Sequence, residues 1–245
     1  LLQMGNSQSS IAPNLQHAQA TGVLQLSGKK LEEWPAAIHR LNNNLRTLDL
    51  SNNRLTSVST SIDGMVQLKQ LTLSSNRLTG LPDQVCSLSR LTILSLERNF
   101  LQSLPVGFSQ LKSLKTLQLS GNKFKDFPAS VLDLPALELL DLSTNSIITQ
   151  LPGNMSNLKA VELNLNQNQL KLLSDSLADC PRLRILRLQE NCLPIDQFTP
   201  KLLRDSQISL LAVEGNLFLM KQFDQLEGSQ AYQERVTAVR RKAEH

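Results

Sequence analysis

The sequence predicts an α/β fold in which short repeats stack into a solenoid. A curved parallel sheet is expected on the concave side, and short 3₁₀, irregular or helical segments on the convex side. Three observations predict it. A leucine pattern restarts every 23 residues from Leu45 to Leu183, and one asparagine returns in register in eight consecutive units. Only 4% of the residues are aromatic whereas 40% are hydrophobic, which indicates an aliphatic and repetitive core.

The unit that begins at Leu68 shows what each position contributes. Leu71 and Leu73 flank Thr72, so in an extended strand the two leucines face one side and Thr72 faces the other. Asn76 follows where the chain must turn, and its amide can pair with backbone groups that a strand ladder does not reach. One unit cannot bury its own leucines, so neighbouring units must stack to form a continuous core.

The second half of each unit is predicted to leave the sheet. Pro82 fixes φ and removes a backbone donor, and Val85 and Leu88 supply apolar contacts from a short 3₁₀-like segment. Prolines recur at the equivalent place, the last displaced by one residue: Pro35, Pro82, Pro105, Pro128 and Pro152. The unit from Leu183 is longer, and we interpret its extra residues, near 194–200, as an enlarged outer loop.

The chain is predicted to divide into three segments. Residues 1–20 form a leader and an N-terminal cap, with a helix starting at Pro13. Residues 21–218 hold about nine repeats, of which the first is degenerate, and residues 219–245 form a helical C-terminal cap with a basic tail. The basic tail has two interpretations, a solvated helix end that complements its own dipole or a patch that attracts phospholipids. It contains Arg235, Arg240, Arg241 and Lys242.

The leader contains a candidate acylation signal. Residues 4–9, Met-Gly-Asn-Ser-Gln-Ser, match M-G-x-x-x-[ST], the pattern for N-myristoylation. If translation starts at Met4, Gly5 becomes the N-terminal acceptor and the protein gains a lipid anchor. If residues 1–3 belong to the coding sequence, the motif is void. We predict a cytoplasmic protein that acylation would associate with a membrane.

Composition argues against several other classes. Lys and Arg number 25 and Asp and Glu 21, giving a net charge of +4 that is not concentrated in a stripe, so no nucleic-acid partner is predicted. No apolar run reaches 18 residues, so no transmembrane helix is predicted. The three cysteines lie within the repeats and do not flank them in pairs, which favours reduced thiols. They are Cys86, Cys180 and Cys192.

Residues 21–218 resemble the 23-residue, L-x-x-L-P class of intracellular leucine-rich repeat proteins, to which Ras-pathway scaffolds and other adaptors belong. The resemblance is carried by the leucine frame, the asparagine column and the leucine-proline steps described above. It implies a stand-alone solenoid that binds proteins, without a cofactor and without known chemistry. It does not identify the partner.

The concave face is the predicted binding surface. Strands about 4.8 Å apart would offer a broad, open face, which suits a protein element better than a small molecule. The early repeats place small hydroxyl residues there, whereas the later repeats place charged and forked groups, which orient a partner. The alternative is that these residues only keep the sheet face soluble. We also predict a monomer. The partner-binding candidates are Glu138, Asp141, Glu162, Asn164, Arg184, Arg187, Gln189 and Glu190.

Catalysis is the competing class of function, and the sequence argues against it. His17, His39 and His245 do not accompany a cysteine or serine motif, and no P-loop, H-E-x-x-H or G-x-S-x-G pattern occurs. No metal or cofactor site is predicted. A secreted or receptor-type binding protein is the remaining alternative, which a signal peptide or a disulfide would favour.

Overall fold

The computed structural model describes the backbone of residues 2–145 and 147–243 and the side chains of residues 11–145 and 147–242. Within these residues, nine three-residue strands form one parallel sheet in sequence order, which confirms the predicted α/β repeat fold. The strands are β1 Val23–Gln25, β2 Thr47–Asp49, β3 Gln70–Thr72, β4 Ile93–Ser95, β5 Thr116–Gln118, β6 Leu139–Asp141, β7 Glu162–Asn164, β8 Ile185–Arg187 and β9 Leu210–Ala212.

Short 3₁₀ helices follow the strands, as the proline column predicts. Pro82 and Pro105 each precede one in extended backbone, because a proline fixes φ and donates no hydrogen bond. The 3₁₀ helices are Ala36–Leu41, Thr60–Gly64, Asp83–Ser87, Val106–Gln110, Ala129–Asp133, Met155–Asn157, Asp175–Asp179 and Ile195–Gln197. Four α-helices complete the described chain: α1 Leu2–Thr21, α2 Pro200–Asp205, α3 Met220–Phe223 and α4 Ser229–Ala243.

The chain forms two compact units. The first contains the residues up to Asn122 together with Leu134–Leu137, and the second contains Lys123–Asp133 and the residues from Glu138 onward. In each unit the central strand leucines align between neighbouring strands and form a buried column. The column of the first unit is Leu24, Leu48, Leu71, Leu94 and Leu117, and that of the second begins with Leu140, Leu163 and Leu186.

The repeated asparagine joins each repeat to its neighbour. Asn99 Nδ2 donates to Leu96 O in its own repeat and to Leu73 O in the preceding one, both at 3.0 Å. Its Oδ1 accepts from Leu78 N, also at 3.0 Å. These bonds satisfy backbone groups that the three-residue strands leave unpaired, as the sequence predicts. The same pattern of bonds involves Asn53, Asn76, Asn122, Asn191 and Asn216.

Asn168 departs from this pattern at one atom. Its Nδ2 still donates to Leu142 O and Leu165 O. Its buried Oδ1, however, has no hydrogen-bond donor among the residues that the structure describes. In the sequence of the preceding repeat, the buried Ile148 lies three residues after Asn145, whereas Leu78 lies two after Asn76, and Pro152 is displaced by the same one residue. Gln169 N donates to Ile148 O at 3.1 Å, as Phe100 N donates to Leu78 O in an earlier repeat, so the departure concerns the amide oxygen and not this backbone bond.

The residue before each asparagine adopts a left-handed backbone conformation. Glycine fills this place at Gly121 and Gly215. Six other repeats use residues with a side chain, for which positive φ costs about 1–2 kcal/mol: Asn52, Ser75, Arg98, Thr144, Gln167 and Glu190, with φ between 52° and 58°. The repeat therefore imposes this turn even where the residue type opposes it.

Thr144→Asn should raise the free energy of unfolding by about 0.5–1 kcal/mol, because asparagine tolerates positive φ and a β-branched residue does not. Thr144 has φ of 58°. Urea unfolding followed by circular dichroism measures the change. The matched control is Thr72→Asn in β3, which should lower the free energy of unfolding because extended backbone favours threonine. A loss at position 144 equal to that at position 72 would contradict the assigned strain.

The N-terminal helix is longer than the sequence predicts. Pro13 was expected to start it, but α1 spans Leu2–Thr21 and contains Pro13. Ile11 and Ala18 on this helix are fully buried. Packing on both sides of the proline therefore keeps the helix continuous despite the lost backbone hydrogen bond. Gly5 falls in α1 where side chains are not described, so the acylation prediction lies outside the described side chains.

Where an enlarged loop was predicted near residues 194–200, the structure has the 3₁₀ helix Ile195–Gln197 and the start of α2. Thr199 caps α2 by accepting a hydrogen bond from Leu202 N at 3.3 Å, and Pro200 occupies its first turn. A capping threonine followed by proline is a typical helix start. The helix buries Leu202 and Leu203.

Aromatic side chains and one arginine form the C-terminal cap. The ring of Phe223 lies 5.3 Å from that of Phe198 and 6.4 Å from that of Tyr232. Arg235 donates to Ile208 O at 2.6 Å and to Leu203 O at 2.8 Å, so it is a structural residue and not part of a solvated basic tail. Its guanidinium satisfies carbonyl groups that no further repeat covers.

The three cysteines are free thiols. Cys180 is buried and donates to Met155 O at 3.1 Å. Burial raises the pKa of the Cys180 thiol to about 12, so it stays protonated at neutral pH and is a poor nucleophile or metal ligand. Of the helices in the described residues, none combines the length and the hydropathy required to cross a membrane.

Candidate protein-binding surface

The solvent side of β6, β7 and β8 brings five of the eight candidate residues together. Asp141, Asn164 and Arg187 are direct partners in the register of adjacent strands. Arg187 Nε lies 2.8 Å from Glu162 Oε1, with 35% of the arginine side chain and 24% of the glutamate side chain exposed. Gln189 follows β8 on the same face. The pairing orients both charges before a partner arrives.

Two of these side chains are fixed by the turns that follow their own strands. Asp141 Oδ1 accepts from Ser143 N at 2.8 Å, and Asn164 Oδ1 accepts from Asn166 N at 3.1 Å. Such local bonds restrict the rotamers of short polar side chains. The acceptor groups on this face are therefore held in defined positions.

A first ladder of side-chain hydrogen bonds runs across the repeats. Asn166 Nδ2 donates to Gln189 Oε1 at 3.1 Å, and Gln189 Nε2 donates to Glu214 Oε2 at 2.9 Å. The backbone N of Gln189 also donates to Asn166 Oδ1 at 2.8 Å. Each side-chain amide donates in the same direction along the repeats, and the ladder ends in a carboxylate.

A second ladder uses the strained turn positions. Thr144 Oγ1 donates to Gln167 Oε1 at 3.2 Å, and Gln167 Nε2 donates to Glu190 Oε2 at 2.9 Å. All three residues have positive φ. The polar residues around both ladders line a shallow depression: Ser143, Asn164, Asn166, Gln167, Gln189 and Glu190.

Two candidates lie apart from this cluster. Arg184 precedes β8, and its guanidinium donates to the backbone O of Gln207 at 3.1 Å, toward the following turn. Glu138 precedes β6 with an exposed side chain, and its backbone O accepts from Glu162 N at 2.9 Å. Both belong to the edge of the face and not to its polar centre.

The candidate set omitted four residues that complete the ladders, of which Asn166 begins the first. Gln167 and Thr144 occupy the position before the repeated asparagine, and Glu214 ends the first ladder. The 23-residue period marks the position of Gln167 and Thr144, but only the structure shows that their side chains bond between repeats. We name the whole set the polar strand face: Asp141, Thr144, Glu162, Asn164, Asn166, Gln167, Arg187, Gln189, Glu190 and Glu214.

The first unit presents a different face. Ser51 Oγ donates to Ser27 Oγ at 2.9 Å, and Ser95 Oγ donates to Gln118 Oε1 at 2.8 Å. A serine hydroxyl on this face also bonds to the Glu97 carboxylate, and no ion pair comparable to that of Arg187 and Glu162 is found among its strand residues that the structure describes. The second unit is therefore the better candidate for specific binding.

The fold and the polar strand face define a repeat protein of the kind that typically binds other molecules without catalysis. The leucine rich repeat family model matches residues 22–78, 67–124 and 89–147, which together span just over half of the chain. The chain belongs to the leucine-rich repeat family.

Several solved structures are similar. The plant peptide hormone receptor RGFR1, in complex with RGF2, is 28% identical with a TM-score of 0.66, over 79% of this chain. The ectodomain of the Arabidopsis receptor kinase HAESA, in complex with an IDA peptide hormone, is 26% identical with a TM-score of 0.60, over 76%. TLR13 in the TLR13-ssRNA13 complex is 27% identical with a TM-score of 0.70, over 83%. This chain spans only 30–32% of those chains.

Proposed function

We propose that the chain is a non-catalytic protein-interaction module, an adaptor or scaffold, that binds a partner protein on the polar strand face. The ion pair between Arg187 and Glu162, flanked by two hydrogen-bonded ladders, is the observation that carries the proposal. Charged groups held in fixed positions select the orientation of a partner, and they do not need to be ordered when it binds.

The hydrogen bonds leave groups available to a partner. In the part of the chain that the structure describes, the guanidinium of Arg187 is bonded only through Nε to Glu162. Its two terminal amino groups can therefore bind a partner carboxylate or carbonyl in a forked arrangement. The carboxylates of Glu190 and Glu214 each accept from one amide and retain capacity for partner donors.

A receptor-type binding protein is a second candidate. The similar structures include receptors that hold peptide hormones. A peptide receptor would use the same face, since the leucine-rich repeat supplies it in both classes. Intact-mass analysis of the protein from cells distinguishes the two. A receptor-type protein is made with a signal peptide that is cleaved off, whereas an adaptor is not.

Removing two charges from the face should weaken binding of the natural partner at least about tenfold. The double variant Asp141→Asn and Arg187→Gln keeps side chains of similar size, and the asparagine introduced in place of Asp141 retains an oxygen for Ser143 N. Titration calorimetry measures the affinity for the partner recovered by proximity labelling. The control is Asp133→Asn with Arg182→Gln, which removes the same charges from exposed positions off the strands. Unchanged affinity of the test variant, or an equal loss in the control, would contradict the proposal.

We also propose that Gly5 is N-myristoylated and that the acyl group associates a cytoplasmic protein with a membrane. The pattern of residues 4–9 supports this proposal. One myristoyl chain binds membranes reversibly, with K of about 10⁴ M⁻¹, so exchange with the cytoplasm is expected.

Intact-mass analysis tests the lipid anchor. Protein translated from Met4 in cells that contain the acyltransferase should have lost Met4 and gained one myristoyl group. Gly5→Ala should remove that gain without changing the thermal midpoint, because only the acceptor is altered. An unmodified Gly5 in the first protein would contradict the anchor and leave the binding-face proposal standing.

The finer identity is also a proposal. Four stretches resemble a small protein called leucine-rich repeat-containing protein 57, and they are more specific than the repeats themselves: residues 4–7, 21–26, 162–169 and 205–218. The resemblance supports a stand-alone repeat protein with an acylated N-terminus. It adds no partner.

A further inference from the structure

The last strand of the sheet has an edge that the C-terminal cap covers only in part. β9 pairs with β8 on one side. On its other side, Leu211 N donates to the hydroxyl oxygen of Tyr232 at 2.9 Å, so one edge group is satisfied by the cap. The first strand is treated similarly, since Val23 N donates to Thr21 Oγ1 at 3.2 Å. At each edge, one side chain thus takes the place of one acceptor of the strand that the edge lacks.

Three backbone donors beyond Leu211 have no such replacement. In the residues that the structure describes, no acceptor is bonded to the backbone N of Val213, Gly215 or Phe218. The equivalent donors of the preceding repeat all bond to the β9 repeat: Leu188 N to Ala212 O at 2.7 Å, Glu190 N to Glu214 O at 2.9 Å, and Leu193 N to Asn216 Oδ1 at 3.0 Å. The β9 repeat therefore offers the same three donors by which the β8 repeat holds it.

Exposed apolar side chains flank these donors. Leu217 is 68% exposed and Leu219 is 72% exposed. Leu210 and Met220 are exposed as well. Unpaired strand donors beside apolar side chains are a template for pairing with another extended chain, since pairing satisfies the donors and removes the apolar groups from water.

We propose that the edge of β9 receives an extended segment of another protein as an added parallel strand. Its carbonyl groups accept from Val213 N and Gly215 N, and an asparagine or aspartate side chain that follows accepts from Phe218 N. The parallel direction follows from this side chain, because Asn216 meets the Leu193 donor in the same order along the chain. Main-chain pairing supplies affinity, and the asparagine or aspartate supplies specificity. This site is independent of the polar strand face.

Amide hydrogen exchange of the free protein tests the open edge first. The amides of Val213, Gly215 and Phe218 should exchange at least about tenfold faster than their bonded equivalents. Those equivalents are Leu188, Glu190 and Leu193. Equal protection of the two sets at low protein concentration would overturn the proposal. Protection that rises with protein concentration would place a second copy on the edge and would also overturn it.

A peptide copied from the chain tests the occupant. The probe is residues 183–193 with serine for Cys192, because this segment already pairs with the repeat before it through Asn191. Adding the probe should slow exchange at Val213, Gly215 and Phe218 in a saturable way. A probe with alanine for Asn191 should bind about tenfold more weakly, whereas one with aspartate should bind. Absence of protection at these three amides, or equal binding by the alanine probe, would overturn the assignment.

A protein variant separates strand addition from nonspecific apolar binding. Leu217→Lys places a charge beside the edge, which discourages strand pairing, and should weaken probe binding at least about tenfold. The control is Val106→Lys, at a 96% exposed position on a 3₁₀ helix of the first unit, which should leave binding unchanged. An equal loss of probe binding in both variants would overturn the proposal. Probe-induced changes in amide exchange that are confined to the polar strand face would also overturn it.

Discussion

Leu94→Ala is expected to lower the free energy of unfolding by about 2–5 kcal/mol. Leu94 is fully buried and lies in register between Leu71 of β3 and Leu117 of β5. Truncation removes apolar contacts on both sides and leaves a cavity that the rigid stack of strands cannot close. In a repeat protein this loss also weakens two interfaces at once, since each repeat contacts only its neighbours.

Urea unfolding followed by circular dichroism measures this loss. Val106→Ala is the control, because Val106 is 96% exposed and its truncation should change stability by no more than about 0.5 kcal/mol. A loss at Leu94 as small as that of the control would mean that the leucine column does not form the core.

Asn122→Ala is the second large effect, with an expected loss of about 1–3 kcal/mol. Asn122 is almost fully buried. Its Oδ1 accepts from Leu101 N at 3.0 Å, and its Nδ2 donates to Leu96 O and Leu119 O at 3.0 and 2.9 Å. Alanine leaves Leu101 N without its acceptor and removes one donor each from Leu96 O, which keeps Asn99 Nδ2, and from Leu119 O. A buried donor left unpaired costs more than its bond contributes.

Denaturation and hydrogen exchange together test this assignment. The amide of Leu101 should exchange faster in Asn122→Ala, because its acceptor has been removed. Asn43→Ala at an exposed turn serves as the control and should leave both stability and Leu101 exchange unchanged. Normal protection of Leu101 in Asn122→Ala would show that the asparagine ladder is not what satisfies the backbone.

The repeating parts of the fold could be predicted because the residues that cause each strand and each turn recur at a fixed spacing in the sequence. Leucines two residues apart imply a strand with one buried face, and the asparagine that ends it implies a side-chain bond to the backbone. The departures came where packing overrides a local signal. Pro13 stays inside a helix because Ile11 is buried, and Thr199 with Pro200 starts a helix where a loop was expected.

The candidate surface was predictable only in part for a related reason. Strand alternation identifies Asp141 and Arg187 as solvent-facing residues in the later repeats. It does not identify Gln167, whose role depends on a left-handed turn and on a bond to Glu190 in the next repeat. Arg235 shows the same limit, because its sequence neighbours suggested a basic tail while its carbonyl partners lie in α2 and just before β9.

Site-directed photo-crosslinking in cells tests most directly whether this family member binds a protein through the polar strand face. A benzophenone amino acid replaces Asn164 at the centre of the face, or Ala129 on an exposed 3₁₀ helix of the same unit as the matched control. We expect a discrete protein adduct from position 164 that is absent from position 129. Adducts from position 129 alone, or none from position 164, would contradict binding through this face.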